Sequence, residues 1–268
     1  MAMEDLLVVQ LGTVEYREGV RLQERVRAAR QAEAIGDVLL LLEHPPVYTQ
    51  GRRSDARELP MGRDWYLSQG IDVVKTDRGG KVTYHGPGQL VGYPIMAVTD
   101  VLAHLRRLEV ALVAALAEEG IEARSRVDDG PAFTGVWVAE RKIASLGLHV
   151  ARGVSTHGFA VNVQNDLQPF TYVVPCGLPG VAMTSIVKET GTGGDRLTCF
   201  RRRAGAHVAR AFGRRQRLLS AARLERALSG VAPPRAEAAP RGERPPRRGR
   251  SRGVARPPRG QALPGPRS

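Results

Sequence analysis

Apolar and polar positions follow two rhythms along the chain. Leu6 to Leu11 is a short apolar strand candidate. From Glu18 to Ala34, charged residues are interspersed with Val20, Leu22, Val26 and Ala29 at roughly helical spacing. Gly36 stops that helix. Val38 to Leu42 is an unbroken apolar run that suits a strand buried on both faces, and Pro45-Pro46 ends it. A short helix is expected over Met61 to Gln69, with strands at Ile71 to Val74 and at Leu90 to Met96. Val101 to Glu119 sets Leu105, Leu108, Leu112 and Leu116 three or four apart among charges, an amphipathic helix closed by Gly120. From Ile121 the period shifts towards two, giving strand candidates at Ile121 to Arg124, Gly135 to Val138, Lys142 to Val150, Ser155 to Val163 and around Tyr172 to Val174. A helix from Asp195 or Leu197 to Phe212 closes the pattern.

Between the runs at 71–74 and 90–96 lies Arg78-Gly79-Gly80-Lys81-Val82-Thr83-Tyr84-His85-Gly86-Pro87-Gly88-Gln89, which reads as a polar turn between two strands. Its glycines let another molecule approach the main chain, and Arg78, Lys81, Thr83, Tyr84, His85 and Gln89 supply donors and acceptors around the gap. That combination describes a small-molecule pocket. Gly86-x-Gly88-x-x-x-Gly92 misses the dinucleotide fingerprint by one position and opens a strand, so no nucleotide cofactor is expected.

Charge divides the chain of 268 residues. From Arg201 to Ser268 there are nineteen arginines and three glutamates, +16 against a net charge of +13, so the rest carries −3. A nucleic-acid argument therefore applies only to the C-terminal part. Residues 231–268 hold nine prolines and ten arginines with no aromatic side chain to stack on bases, so this segment is expected to be disordered and nucleic-acid binding is not expected of it. The composition divides the chain into a domain at 1–213, which the resemblance described below makes the catalytic one, and an Arg/Pro/Gly-rich tail at 214–268. No run is long enough to span a membrane, and the acidic N-terminus lacks the marks of a signal peptide, so a cytoplasmic protein without a membrane partner is expected.

Two cysteines cannot build a disulfide scaffold. Cys176, in Pro175-Cys176-Gly177-Leu178-Pro179-Gly180, is either a nucleophile on an exposed corner or a buried structural thiol. Cys199, beside Leu197 and Phe200 on a helix, fits the buried role better. A nucleophilic thiol needs a base. Lys142 opens an otherwise apolar strand: pointing inward beside a thiol it can take the proton, and pointing outward it is an ordinary solvated lysine. Of the six histidines, His85 and His157 precede glycines in polar surroundings and suit a pocket, whereas His104 and His207 are expected on helix surfaces. No spacing supports a metal site.

The stretches RGGKVTYHGPGQLVGYP, KIASLG, RGVSTHGFAVNV and PCGLPGVAMTSI, in that order, closely resemble the lipoyl(octanoyl) transferases over about residues 6 to 213. The resemblance implies an α+β fold, a mixed β-sheet with packed helices like the catalytic domain of biotin and lipoate protein ligases. It implies transfer of an octanoyl group from octanoyl-acyl carrier protein, through a cysteine thioester, to a lysine on lipoyl domains of 2-oxo acid dehydrogenases or on glycine-cleavage H protein, without cofactor or metal. It places the nucleophile on Cys176 and its partner on Lys142. The acyl-binding residues fall on Arg78, Gly79, Gly80, Lys81, Val82, Thr83, Tyr84 and His85, on Ser145, Leu146 and Gly147, and on Gly158, Phe159 and Ala160. The segment between Thr99 and Leu105 is shorter than the family pattern, and the tail has no counterpart in it. The nearest rival on the same fold is an ATP-dependent ligase, which needs no cysteine.

Overall fold

A computed structural model describes residues 3–174 and 181–230. Its main sheet has eight strands in the order β11-β1-β2-β6-β10-β9-β8-β7, namely β1 (Asp5–Thr13), β2 (Val38–Glu43), β6 (Gln89–Ile95), β7 (Arg124–Ser125), β8 (Gly135–Val138), β9 (Arg141–Ala151), β10 (Val154–Asn162) and β11 (Arg215–Leu219). A second sheet of three strands runs β4-β3-β5, from β3 (Val47–Gln50), β4 (Asp72–Lys75) and β5 (Val82–His85). The helices are α1 (Tyr16–Gln31), α2 (Arg63–Ser68), α3 (Val101–Ala117), α4 (Ile186–Thr190), α5 (Arg196–Ala211) and α6 (Ala221–Leu228). No helix among the described residues is long and apolar enough to cross a membrane.

The unbroken apolar run of β2 is explained by helices on both faces of the sheet. Leu39 and Leu41 join one core with residues of α3 and α5, while Val38, Leu40 and Leu42 join the other with residues of α1 and α6. The stripe on α3 supplies Leu108, Ala111, Leu112, Ala115 and Leu116 to the first of these. Asp100 caps α3 by accepting from the amides of Leu102 and Ala103 at 2.9 and 3.0 Å, which satisfies two of the helix's orphan donors. A third core, built on Tyr48, Tyr66, Tyr84 and Phe170, fastens the small sheet.

Several local expectations are corrected. The stretch from Arg78 to Gln89 is not one turn: Val82–His85 forms β5, antiparallel to β3, because its alternation feeds Val82 and Tyr84 to the aromatic core. The strand expected at Ile121 to Arg124 is reduced to β7, and the residues before Val173 form a 3-10 turn, Gln168–Tyr172, rather than a strand. His104 and His207 are buried, the first packed on the Phe212 ring at 4.6 Å and the second against Glu118 at 2.7 Å. Cys199 is exposed, since the buried face of α5 is set by Leu197, Phe200, Ala204 and Val208.

Order continues past Gly213. β11 lies parallel to β1, and α6 buries Leu224 and Leu228 against Val9 and Leu40. The Arg-Gln-Arg pattern of β11 hides it in the sequence, because as an edge strand it needs no apolar run.

Candidate active site

One cavity of about 420 Å³ opens between the small sheet and the half of the large sheet formed by β9 and β10. Missing side chains let the segments of its wall approach closely. Gly147 on β9 faces Gly158 on β10, and the loop after β4 crosses them: the Gly79 amide donates to the Leu148 carbonyl at 2.8 Å, and a Cβ on Gly147 would stand 2.7 Å from the Gly79 oxygen. A Cβ on Gly158 would collide with the Gly92 carbonyl of β6.

Arg78, Gly79, Gly80, Lys81, Val82, Thr83, His85, Lys142, Ser145, Leu146, Gly147, Gly158, Phe159 and Ala160 all line this cavity. Tyr84 does not. It alternates away from Thr83 and His85 and stacks edge-on to Phe170 at 5.5 Å, in the aromatic core. Cys176 lies outside the described residues. Leu146, Phe159, Leu105 and Val101 give the lining apolar surface, and Tyr16, His85, Tyr93 and His157 give it polar groups.

Arg78 is a brace for the loop that carries it. Its guanidinium donates to the Thr49 hydroxyl at 2.8 Å and to the carbonyls of Lys81 and Gly79 at 2.7 and 3.1 Å. The histidines are equally committed. His85 Nδ1 donates to Gln89 Oε1 at 2.8 Å, a direction fixed because the Gln89 amide already donates to Tyr84 and Asn162. Burial, with His44 close by, pushes His85 well below the ordinary histidine range, so it is neutral at pH 7. His157 stands at φ +59°, strained for a residue with a Cβ; its amide donates to Gln23 and its Nε2 meets Asp77, both at 2.7 Å. That hydrogen bond from His157 holds Asp77 down to about 2, while burial lowers His157. Asp77, Tyr16 and Tyr93 were missed by sequence reasoning. Asp77 alone carried a signal, since it adjoins Arg78-Gly79-Gly80 in a polar turn.

Lys142 is 2% exposed, which settles its open orientation inward. The cause is a register slip between β8 and β9: Val136 faces Ala144 but Trp137 faces Lys142, so Lys142, Ile143 and Ala144 are all buried in succession. Nζ lies 5.3 Å from the centre of the Trp137 ring, whose Nε1 donates to Phe133. A Cβ on Gly135 would stand 2.5 Å from Lys142 Cε. The segment Val181 to Thr184 runs beside it: the Lys142 amide donates to the Ala182 carbonyl at 2.9 Å and the Thr184 amide donates to the Lys142 carbonyl at 3.0 Å. Arg141 takes the outward direction and forks onto Glu189, both contacts at 2.9 Å. The cavity therefore offers an alkyl-sized apolar wall beside one buried amine. Among the described residues, no group of three or more His, Cys, Asp or Glu could hold a metal.

Residues 15–199 match the Lipoyl protein ligase A/B catalytic domain. The chain is 48% identical over 180 residues to an octanoyltransferase of Solibacter usitatus, covering 66% of this chain and 80% of that one. It is 47% identical over 190 residues to the octanoyltransferase of Mycobacterium tuberculosis, covering 69% and 77%. The chain belongs to the octanoyltransferase family. It is an acyltransferase. Its fold is that of lipoate-protein ligases: lipoate-protein ligase A bound with ATP superimposes with a TM-score of 0.63 at 16% identity, covering 85% of this chain and 94% of that one. A bi-partite lipoate protein ligase from Thermoplasma acidophilum gives 0.64 at 17%, covering 85% and 91%. At such identities the likeness is one of fold.

Proposed function

We propose that this acyltransferase moves an octanoyl group from the thioester of octanoyl-acyl carrier protein to Cys176, and from Cys176 to the ε-amine of a lysine on a lipoyl domain. The observation that carries the reading is the burial of Lys142 in the cavity wall, laced through its backbone to the segment that follows Pro175–Gly180. A thiol is acylated as its thiolate, and an amine buried in the cavity wall is a base of the kind that can take its proton.

In the first step Lys142 takes the Cys176 proton, the thiolate attacks the donor's carbonyl carbon, and the C–S bond to the carrier breaks as its sulfur leaves and takes back a proton. Exchange of one thioester for another is nearly balanced in free energy, so positioning and a thiolate suffice. In the second step the acceptor amine attacks the Cys176 thioester, gives up its proton, and an amide forms as the thiol is released. The amide is the more stable product, which draws the sequence forward without ATP.

The test is an intact mass spectrum of the protein mixed with octanoyl-carrier protein alone. One octanoyl increment, labile to hydroxylamine and absent from Cys176→Ser, is expected. Cys199→Ser, altered on an exposed helix face, should acylate like the parent. Modification of apo lipoyl domain only when ATP and free octanoate are supplied would turn the assignment to a ligase.

A further inference from the structure

The cavity lining includes two exposed arginines that pair with no acid among the described residues. Arg52 and Arg53 follow β3 and line the opening with exposed residues. The cations around them are compensated or engaged: Lys81 pairs with Glu58 at 2.8 Å, Arg57 pairs with Asp55 at 2.8 Å, and Arg78 braces its own loop. No ion pair among the described residues includes Arg52 or Arg53.

Their backbone is fixed. The amides of Gly51, Arg52 and Arg53 donate to Lys81, Arg78 and Gly80 at 3.3, 3.0 and 3.1 Å, which ties this turn to the glycine loop of the cavity. A Cβ on residue 51 would stand 2.5 Å from the Gly80 oxygen, so only glycine lets the two turns approach this closely. The fold thus fixes the backbone of two consecutive arginines whose side chains have no acidic partner among the described residues. Forked, permanently charged donors match the oxygens of a phosphate. Because they line the cavity itself, the anion they await must enter with the buried ligand.

We propose that Arg52 and Arg53 form a phosphate subsite, holding the phosphate at the base of the donor's 4′-phosphopantetheine arm while the thioester at its other end reaches the cavity. This rests on the carrier-thioester reading above. Contact is non-covalent, and the phosphate leaves with the arm once the acyl group is on the enzyme. An acceptor lysine brings no such anion, so the subsite acts in the first step only.

Two small donors that differ only in this group test the idea: octanoyl-phosphopantetheine and octanoyl-pantetheine, with the second-order rate of acylation measured on the full chain. The parent should prefer the phosphorylated donor by about tenfold at low salt, as expected for one charge-assisted contact. Arg52→Gln/Arg53→Gln should bring the ratio close to one, and Arg52→Gln alone should fall between. Misfolding slows both donors together and leaves the ratio intact, so the ratio reads recognition. A parent ratio near one, or a ratio unchanged in the double variant, would overturn the proposal. So would a double variant that is slow with octanoyl-carrier protein but keeps the small-donor ratio, which would assign the arginines to the carrier's protein surface. Failure of the parent to be acylated by any donor, carrier protein included, would overturn the transfer reading and this subsite with it.

Discussion

At the scale of single residues the decisive one is Lys142, and in the proposed transfer its work depends on losing and regaining a proton. Lys142→Arg should lower acyl transfer by about 100-fold or more, nearly as much as Lys142→Ala, because guanidinium keeps its proton throughout the accessible pH range. Packing adds to the loss, since Gly135 and the Trp137 ring close on the side chain. Single-turnover acylation by octanoyl-carrier protein measures this; an arginine variant that keeps most of its activity would show that charge alone is needed. The sequence left Lys142 open between inward and outward, for a physical reason: its direction is set by a one-residue slip between β8 and β9, which no periodicity reveals. Tyr84 is the opposite case. Alternation sets it on the face of Val82 and in the aromatic core, away from Thr83 and His85, and of that face only Val82 reaches the cavity.

Among elements, long helices were legible because each turn repeats the evidence. α1, α3 and α5 fall within a few residues of their expected bounds, whereas β3 and β11, short and partly polar, left no trace in the pattern. The junction of α1, β2 and β6 yields a pH dependence. His44, wholly buried after β2, donates from Nδ1 to the Val14 carbonyl at 2.6 Å before α1 and accepts at Nε2 from the Tyr93 hydroxyl of β6 at 2.7 Å. Only neutral imidazole can do both. Burial lowers His44 from 6.5 to about 4, so the unfolded chain takes up this proton first as pH falls. The stabilisation is complete above pH 6.5 and is lost on descending through 4, on the order of 3 kcal/mol. His104, also lowered to about 4 by burial, acts in the same direction. Urea midpoints should therefore drop between pH 7 and pH 4.5, and His44→Gln, which keeps hydrogen-bonding groups but does not titrate there, should flatten the fall. A parent midpoint that stays level over this range would contradict the assignment.

For the whole molecule, the useful boundary is set by packing rather than composition. The Arg/Pro/Gly bias begins to colour the sequence after Gly213, yet β11 and α6 belong to the sheet and its core. Removal of residues 231–268 should leave the melting temperature and the acylation rate close to those of the full chain. Ending the chain at 213 instead exposes Leu224's and Leu228's partners and the edge of β1, a loss of roughly 3–6 kcal/mol from two buried leucines alone, comparable with a domain's whole stability. Thermal melts of the two truncations decide the matter: equal behaviour would mean that β11 and α6 are ornaments.

The same pairing orders events during synthesis. Asp5 lies beside Arg215, and β1 stands between β2, made soon after it, and β11, made much later. A chain still leaving the ribosome can assemble β1 with β2 and helix α1, but one side of its first strand stays unpaired until some two hundred residues later. The closing step is a contact of long sequence separation, slow by nature, and the growing chain carries an open edge until β11 is made.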